Sequence, residues 1–382
     1  MTTAADTRHK WRQRTIRPFA ESCLLGDCAV RDTYGRLLGL KGLGVILAGC
    51  IGVIAVRPVA QAQEATPSAR RMASMKADYK RPVPRPVENA ALVDLGRSLF
   101  WDPRSSASGK TACASCHFPH LGWATTDAKS RNDSGKLTSR RSQTVLALGH
   151  TSGPIGWDGR SATLEAQAKA SIATGSMSMS QTEAPVKVEV IEERIRAVPG
   201  YAPKFNAALP GAAINLAAIA KAIAAYERTM EPGTAPFDRW IEGHESAISE
   251  SAKRGFVLFN GKAECSLCHS GWRFTNDTFH DIGVSTKDPG RGRDVKDDPL
   301  MQYAFKTPTL RSVALHPPYM HDGSAADLHQ VVKHYEKGGI DRPSRSPLIK
   351  PIALTDQERS DLVAFMETLT GEGEAEPPPR LP

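Results

Sequence analysis

The chain has 382 residues, of which 40% are hydrophobic and 24% charged; these proportions exclude a disordered or membrane-embedded chain, and the length leaves room for two domains. Its formal charge of +8 would suggest an acidic partner, but nine basic and four acidic residues fall within positions 1–62. The rest keeps 40 basic residues against 37 acidic, a net +3 that gives nucleic-acid binding little support.

Residues 1–62 read as a signal peptide or N-terminal anchor. Arg8, Lys10, Arg12, Arg14, Arg17, Arg31, Arg36 and Lys41 form a basic lead, residues 43–56 a short apolar run, and Ala60-Gln61-Ala62 a small-x-small cleavage site. An uncleaved anchor is a second reading, although the run is short for a hydrocarbon core of about 30 Å. A third takes Leu47-Ala48-Gly49-Cys50 as a lipoprotein box with Cys50 lipidated, against which the apolar residues 51–56 stand. All three place the folded part across the membrane, in the periplasm. Residues 63–86, rich in Pro and basic residues, read as a linker or arm.

Of seven cysteines, Cys23, Cys28 and Cys50 lie in the targeting region; the other four form the pairs Cys113/Cys116 and Cys265/Cys268. Each pair is followed by a histidine, His117 and His269, giving two CxxCH motifs. That spacing lets two thiols add across the haem vinyl groups while the adjacent imidazole reaches the iron. Two such motifs imply two covalently bound haem c groups. A zinc site would need four clustered ligands, which neither motif has nearby.

The surroundings repeat. Gly96-Arg97-Ser98-Leu99-Phe100 precedes the first motif and Gly255-Phe256-Val257-Leu258-Phe259 the second, each leading through a Gly-Lys loop into CxxCH. A repeat means one structural unit used twice. Residues 214–230 are apolar at helical spacing, and residues 355–369 open on Thr355 with Glu358 three places later, a capping box, before a stripe of Leu362, Val363, Phe365, Met366 and Leu369. These helices close the two units as core packing. The expected fold is mainly α: two cytochrome c-type haem domains, 87–245 and 246–371, packed across a shared interface, with a polar stretch at 238–250 marking the boundary and a tail at 372–382.

With the haem motifs, two further segments carry a resemblance: Trp157-Asp158-Gly159-Arg160 followed by Leu164-Glu165-Ala166-Gln167-Ala168, and Thr307-Pro308-Thr309-Leu310-Arg311 followed by Pro318-Tyr319-Met320-His321-Asp322-Gly323. In their order and spacing, over residues 92–371, the chain resembles the bacterial di-haem cytochrome c peroxidase family and its MauG-like branch. The resemblance implies that the N-terminal haem, on His117, meets hydrogen peroxide, that the C-terminal haem, on His269, is six-coordinate and passes electrons, and that Trp157 relays between them. It places Gln167 with the catalytic residues of the first pocket. Tyr335 falls where the peroxidases have a ligating Met, as in the MauG-like branch; a phenolate favours oxidised iron and a low potential. His334 and Met320 are the alternative ligands. No histidine occurs in 127–144, so the first haem is expected to keep an open sixth position, with His150 as the alternative ligand and His120 on the wrong side.

Two departures stand out. Where the family carries an acid/base Glu, this chain has Ser176 or Met177; Glu183 is the nearest carboxylate, and Met177 or Met179 can shield or ligate the haem. General acid–base help of this kind contributes roughly 10²–10⁴-fold, so peroxide turnover is in question while the redox frame is not. The family's calcium ion maps onto Ser142 in place of Asn, with the carbonyls of His316 and Pro318 and waters for the rest; this set is one ligand weaker for an ion that prefers several oxygens, and calcium is still expected. Arg291, Arg293 and Arg311 are candidates to neutralise haem propionates. The expected function is a periplasmic di-haem oxidoreductase using hydrogen peroxide, its electrons drawn from a small electron-donor protein or a protein substrate, the second favoured by Tyr335. The alternative is a non-catalytic electron-transfer cytochrome.

Overall fold

The computed structural model describes residues 67–179, 186–373 and 376–382; the targeting segment and Glu183 lie outside the described residues. Among these the fold is helical, with a single two-stranded ribbon, β1 (Phe279–His280) paired antiparallel with β2 (Phe305–Lys306). No described helix is long and apolar enough to cross a membrane.

The first half is built on α2 (Ala90–Trp101), α3 (Leu164–Ala173), α4 (Val188–Arg196), α5 (Tyr201–Ala208) and α6 (Leu216–Glu227). Asn89 and Asn215 cap α2 and α6 by accepting from Leu92 N and Ala218 N. Leu95, Leu99 and Phe100 of α2 bury against Ile219, Ile223 and Tyr226 of α6 in one apolar core. The crossing is close: a Cβ on Gly96 would stand 1.9 Å from the Ala222 carbonyl oxygen, so only glycine fits.

The second half repeats this with α8 (Glu250–Asn260) and α10 (Asp356–Glu367), where a Cβ on Gly255 would stand 1.9 Å from the Asp361 carbonyl oxygen. The capping box of Thr355 and Glu358 is formed in full. Phe256, Phe259 and Phe365 meet here, joined by Phe237 and Trp240 of α7 (Pro236–Ile241). The polar stretch from 238 thus begins inside a helix whose aromatic residues are fully buried. Within the segment read as a linker, α1 (Pro67–Asp78) forms, and Tyr79 is 2% exposed in the same aromatic core, stacked on Phe274 at 4.8 Å.

A second repeat emerges from the loops and helices that follow. The loop closed by the bridge Ile155↔Ser161 leads to α3, capped by Thr163; the loop closed by Tyr319↔Ala325 leads to α9 (Leu328–Lys337), capped by Asp327. Trp157 and His321 are each the third residue of their loop, and each helix starts nine residues after its bridge opens.

Candidate haem and relay site

Each CxxCH motif folds as one turn of 3₁₀ helix, Cys113–Ser115 and Cys265–Leu267, whose first carbonyl accepts the histidine N–H. Two cavities open against these turns. The first, about 520 Å³, is lined by Cys113, Cys116 and His117; the second, about 200 Å³, by Cys265, Cys268 and His269. All four cysteines are half-buried and form no disulfide. Burial raises the pKa of every one of these thiols, Cys265 to about 12 and Cys268 to about 11.

His117 donates its Nδ1–H to the Trp123 carbonyl at 3.1 Å, and His269 to the Phe274 carbonyl at 2.8 Å. These bonds fix the tautomer and leave Nε2 unprotonated. Burial lowers the pKa of both imidazoles, His269 to about 4, which keeps them neutral. A neutral imidazole beside two uncharged thiols at a cavity wall is the donor set that a covalently attached haem needs, and it occurs twice.

Trp157 lines both cavities. Its indole N–H donates to the Arg141 carbonyl at 2.9 Å and its own carbonyl accepts from Lys306 N at 2.7 Å, so ring and backbone are both held. It meets His321 edge to face at 6.4 Å, and His321 stacks on Phe305 at 3.8 Å. Beneath the loop, Asp158 is fully buried among Arg140, Arg160 and Arg293.

The two cavities differ at one helical position. Ser171 is the eighth residue of α3 and Tyr335 the eighth of α9, and each lines its own cavity. The phenol reaches the second space, and burial raises its pKa. His334, the alternative ligand, is bonded to the Ile282 carbonyl at 2.8 Å; Met320 does line the second cavity. In the first cavity Gln167 donates to Ser171 Oγ at 3.2 Å and accepts from Ser161 Oγ at 2.8 Å. His150 is not among the lining residues: it bonds Glu231 at 2.6 Å and abuts Trp272. His120 is exposed and likewise outside the cavity. Ser176 is exposed at the cavity rim, whereas Met177 is buried with its sulfur 4.0 Å from that of Cys113.

Other expectations need correction. Arg291, Arg293 and Arg311 line neither cavity: Arg291 bonds the Asp158 and Gly159 carbonyls, Arg293 is spent on Asp158, and Arg311 on Asp238. The cations at the first cavity are instead Arg131, Arg140, Arg141, Arg160, Arg273 and Lys306. At the expected calcium position Ser142 Oγ is bonded to Ser130 Oγ at 2.7 Å, and the His316 carbonyl accepts from the Arg141 guanidinium at 2.7 Å. That guanidinium also donates to the Thr125 carbonyl, and burial without a carboxylate partner lowers its pKa to about 10. Sequence reasoning also passed over Glu227, a buried carboxyl on the first cavity wall.

Comparison with known proteins agrees with this architecture. The di-haem cytochrome c peroxidase profile matches residues 90–246 and the cytochrome c profile residues 252–370. The chain is 45% identical to the methylamine utilization protein MauG of Methylorubrum extorquens, over 87% of this chain and 95% of that one. It is 34% identical to the cytochrome-c peroxidase IdrP1 of Denitromonas iodatirespirans, over 76% and 85%. Among solved structures, a MauG-like protein associated with microbial copper homeostasis superposes with a TM-score of 0.69 at 30% identity, over 78% of this chain and 95% of that one.

Proposed function

Since the chain belongs to the di-haem cytochrome c peroxidase family, it is a di-haem oxidoreductase, and we propose that it draws oxidising equivalents from hydrogen peroxide at the first cavity, shares them through Trp157 with the second, and oxidises a protein partner. Haem c, when bound, supplies an iron that reacts with peroxide in one cavity and exchanges single electrons in the other. His117 and His269 would hold the two irons through the Nε2 atoms their tautomers leave free. Tyr335 would be the second ligand of the second iron. Ser171, too short for that part, would leave the first iron accessible. Gln167, bonded to Ser161 and Ser171, would orient peroxide.

The observation that carries this reading is that one indole borders both cavities. Trp157, held at Nε1 and at its carbonyl, can be oxidised without moving, which a relay requires.

Calcium would have to share its expected donors with groups that already bond them. Of the hydroxyl and two carbonyls expected, Ser130 claims the first and the Arg141 guanidinium the His316 carbonyl, so no step is assigned to it. Residues 1–62 are read as the export signal that brings the chain to the periplasm, where haem c is attached. A non-catalytic electron carrier remains the second reading, and the absence of a carboxylate at 176 and 177 favours it.

The test is a stoichiometric peroxide titration of the ferric protein, followed optically at both haems, with Trp157→Phe alongside. The expected result is a joint change at both haems in the native chain, confined to the first in the variant. Peroxide that leaves both haems unchanged overturns the enzyme reading in favour of the electron carrier.

A further inference from the structure

Glu227 is the last residue of α6 and lies on the wall of the first cavity, 8% exposed. Its Oε2 has no hydrogen-bond partner among the described residues. An unpartnered buried carboxyl costs stability that a hydrocarbon side chain would not. The second half shows the alternative. Tyr226 packs over Gly96 as Phe365 packs over Gly255, so the residue that answers to Glu227 is Met366, which is buried and apolar. The scaffold therefore accepts hydrocarbon at this place and carries an acid only beside the first cavity.

The charged groups that shift its titration are Arg228 and Glu165, and Arg131, Arg140, Arg141, Arg160, Arg273 and Lys306 line the same cavity. Arg228, next in sequence, gives its guanidinium to Glu165 of α3 at 2.7 Å. The Cys113 thiol on the haem turn feels the carboxylate's charge. Leu95 and Leu99 of α2 share an apolar core with Ile219, Ile223 and Tyr226 of α6. Burial raises the pKa of Glu227 to about 8; Arg228 lowers it and Glu165 raises it further. The group thus carries a proton at neutral pH and can lose it slightly above.

We propose that Glu227 is the proton-handling residue of the first cavity, taking the part for which positions 176 and 177 offer no carboxylate. The proposal rests on the peroxide reading above. As the O–O bond breaks, one oxygen leaves as water with both peroxide protons and the two electrons come from the haem pair. Glu227 gives its proton to the departing oxygen and recovers one from the oxygen retained, so it ends as it began.

The experiment compares the native holoprotein with Glu227→Gln and Glu227→Met. The Met variant copies the second half and is expected to fold at least as well, which separates lost chemistry from lost structure. Peroxide should react with either variant roughly 100-fold more slowly, the scale of general acid–base help. Two readouts do not depend on turnover. The infrared C=O band of a protonated carboxyl, shifted in heavy water, should be absent in both variants. Fluoride affinity of the ferric first haem should fall in the native protein as pH rises through about 8, when a carboxylate begins to repel the anion, and should lack that break in the variants. Native peroxide rates and an unchanged fluoride profile in Glu227→Gln overturn the proposal. If the native protein itself ignores peroxide, the peroxide reading fails, and the proton-handling role fails with it even where the infrared band marks Glu227 as protonated.

Discussion

Replacing Asp158 by Asn tests the buried charge cluster beside Trp157. Asp158 follows Trp157 and is fully buried, with Arg140 at 2.8 Å, Arg160 at 2.7 Å and Arg293 also on its carboxylate. Burial alone would raise its pKa; the Arg160 and Arg140 guanidinia outweigh that and hold it at about 2, against an ordinary 3.8. A drop of nearly two units corresponds to about 2 kcal/mol at neutral pH. The folded-state pKa is depressed, so this contribution is complete above about pH 4 and fades as pH falls toward 2. Asn keeps the shape and removes the charge. Guanidinium unfolding of the holoprotein should show Asp158→Asn less stable by about 2 kcal/mol at pH 7, with the gap about halved at pH 3. A gap equal at both pH values would mean that the residue acts by shape rather than charge, and no gap at pH 7 would refute the buried-cluster reasoning.

Tyr335→Phe removes one oxygen from a mostly apolar wall, so the fold should persist while the second haem turns from a six-coordinate to a high-spin spectrum and the first stays unchanged; an unaltered spectrum would exclude the phenol as ligand. Gly255→Ala forces a methyl to 1.9 Å from the Asp361 carbonyl oxygen and 2.7 Å from Phe365 Cβ, and a backbone that must shift costs about 1–3 kcal/mol. Chemical denaturation measures that cost, and a change under about 0.5 kcal/mol, the range of ordinary surface substitutions, would show the crossing to be looser than its geometry. Prolonged treatment with a calcium chelator should leave melting temperature and haem spectra unmoved, because Arg141 already bonds the carbonyl of His316; a loss reversed by added calcium would show that the ion binds after all.

The parts legible in the sequence are those fixed by contiguous residues. CxxCH is a covalent demand written in five letters, and the segments that open on Gly96 and Gly255 announce one unit used twice, although only the structure shows these glycines at helix crossings. Thr355 and Glu358 declare a helix start through a bond pair three residues apart. What escaped depends on facing. Arg291, Arg293 and Arg311 are cations near the right segment, but Asp158 and Asp238 lie nearer to the last two than any cavity does. Glu227 sits in an apolar stripe where one acid looks like a surface residue until the helix is wound and its end turns inward. His316 was read for its carbonyl alone; its ring is buried on the second cavity wall, where burial lowers its pKa to about 4. Pairs such as Arg141 with Thr125 and His316 span up to 175 positions and have no local signature.

The two halves share their crossing glycines, their haem turns and their capped helices, so differences at matching positions inside that frame are not demanded by packing. Three such differences face the cavities or their junction. The eighth residue of the capped helix is Ser171 in one half and Tyr335 in the other, which leaves one cavity open beside a small hydroxyl and brings a phenol into the other. The residue after the ring over the crossing glycine is Glu227 in one and Met366 in the other, a proton carrier against hydrocarbon. The third loop residue is Trp157 in one and His321 in the other; the indole borders both cavities, while the imidazole lies flat on Phe305 and borders only the second. A protein that accepts a small oxidant on one side and holds charge on the other needs an accessible site with a proton source, a closed site without one, and a fixed oxidisable ring between them.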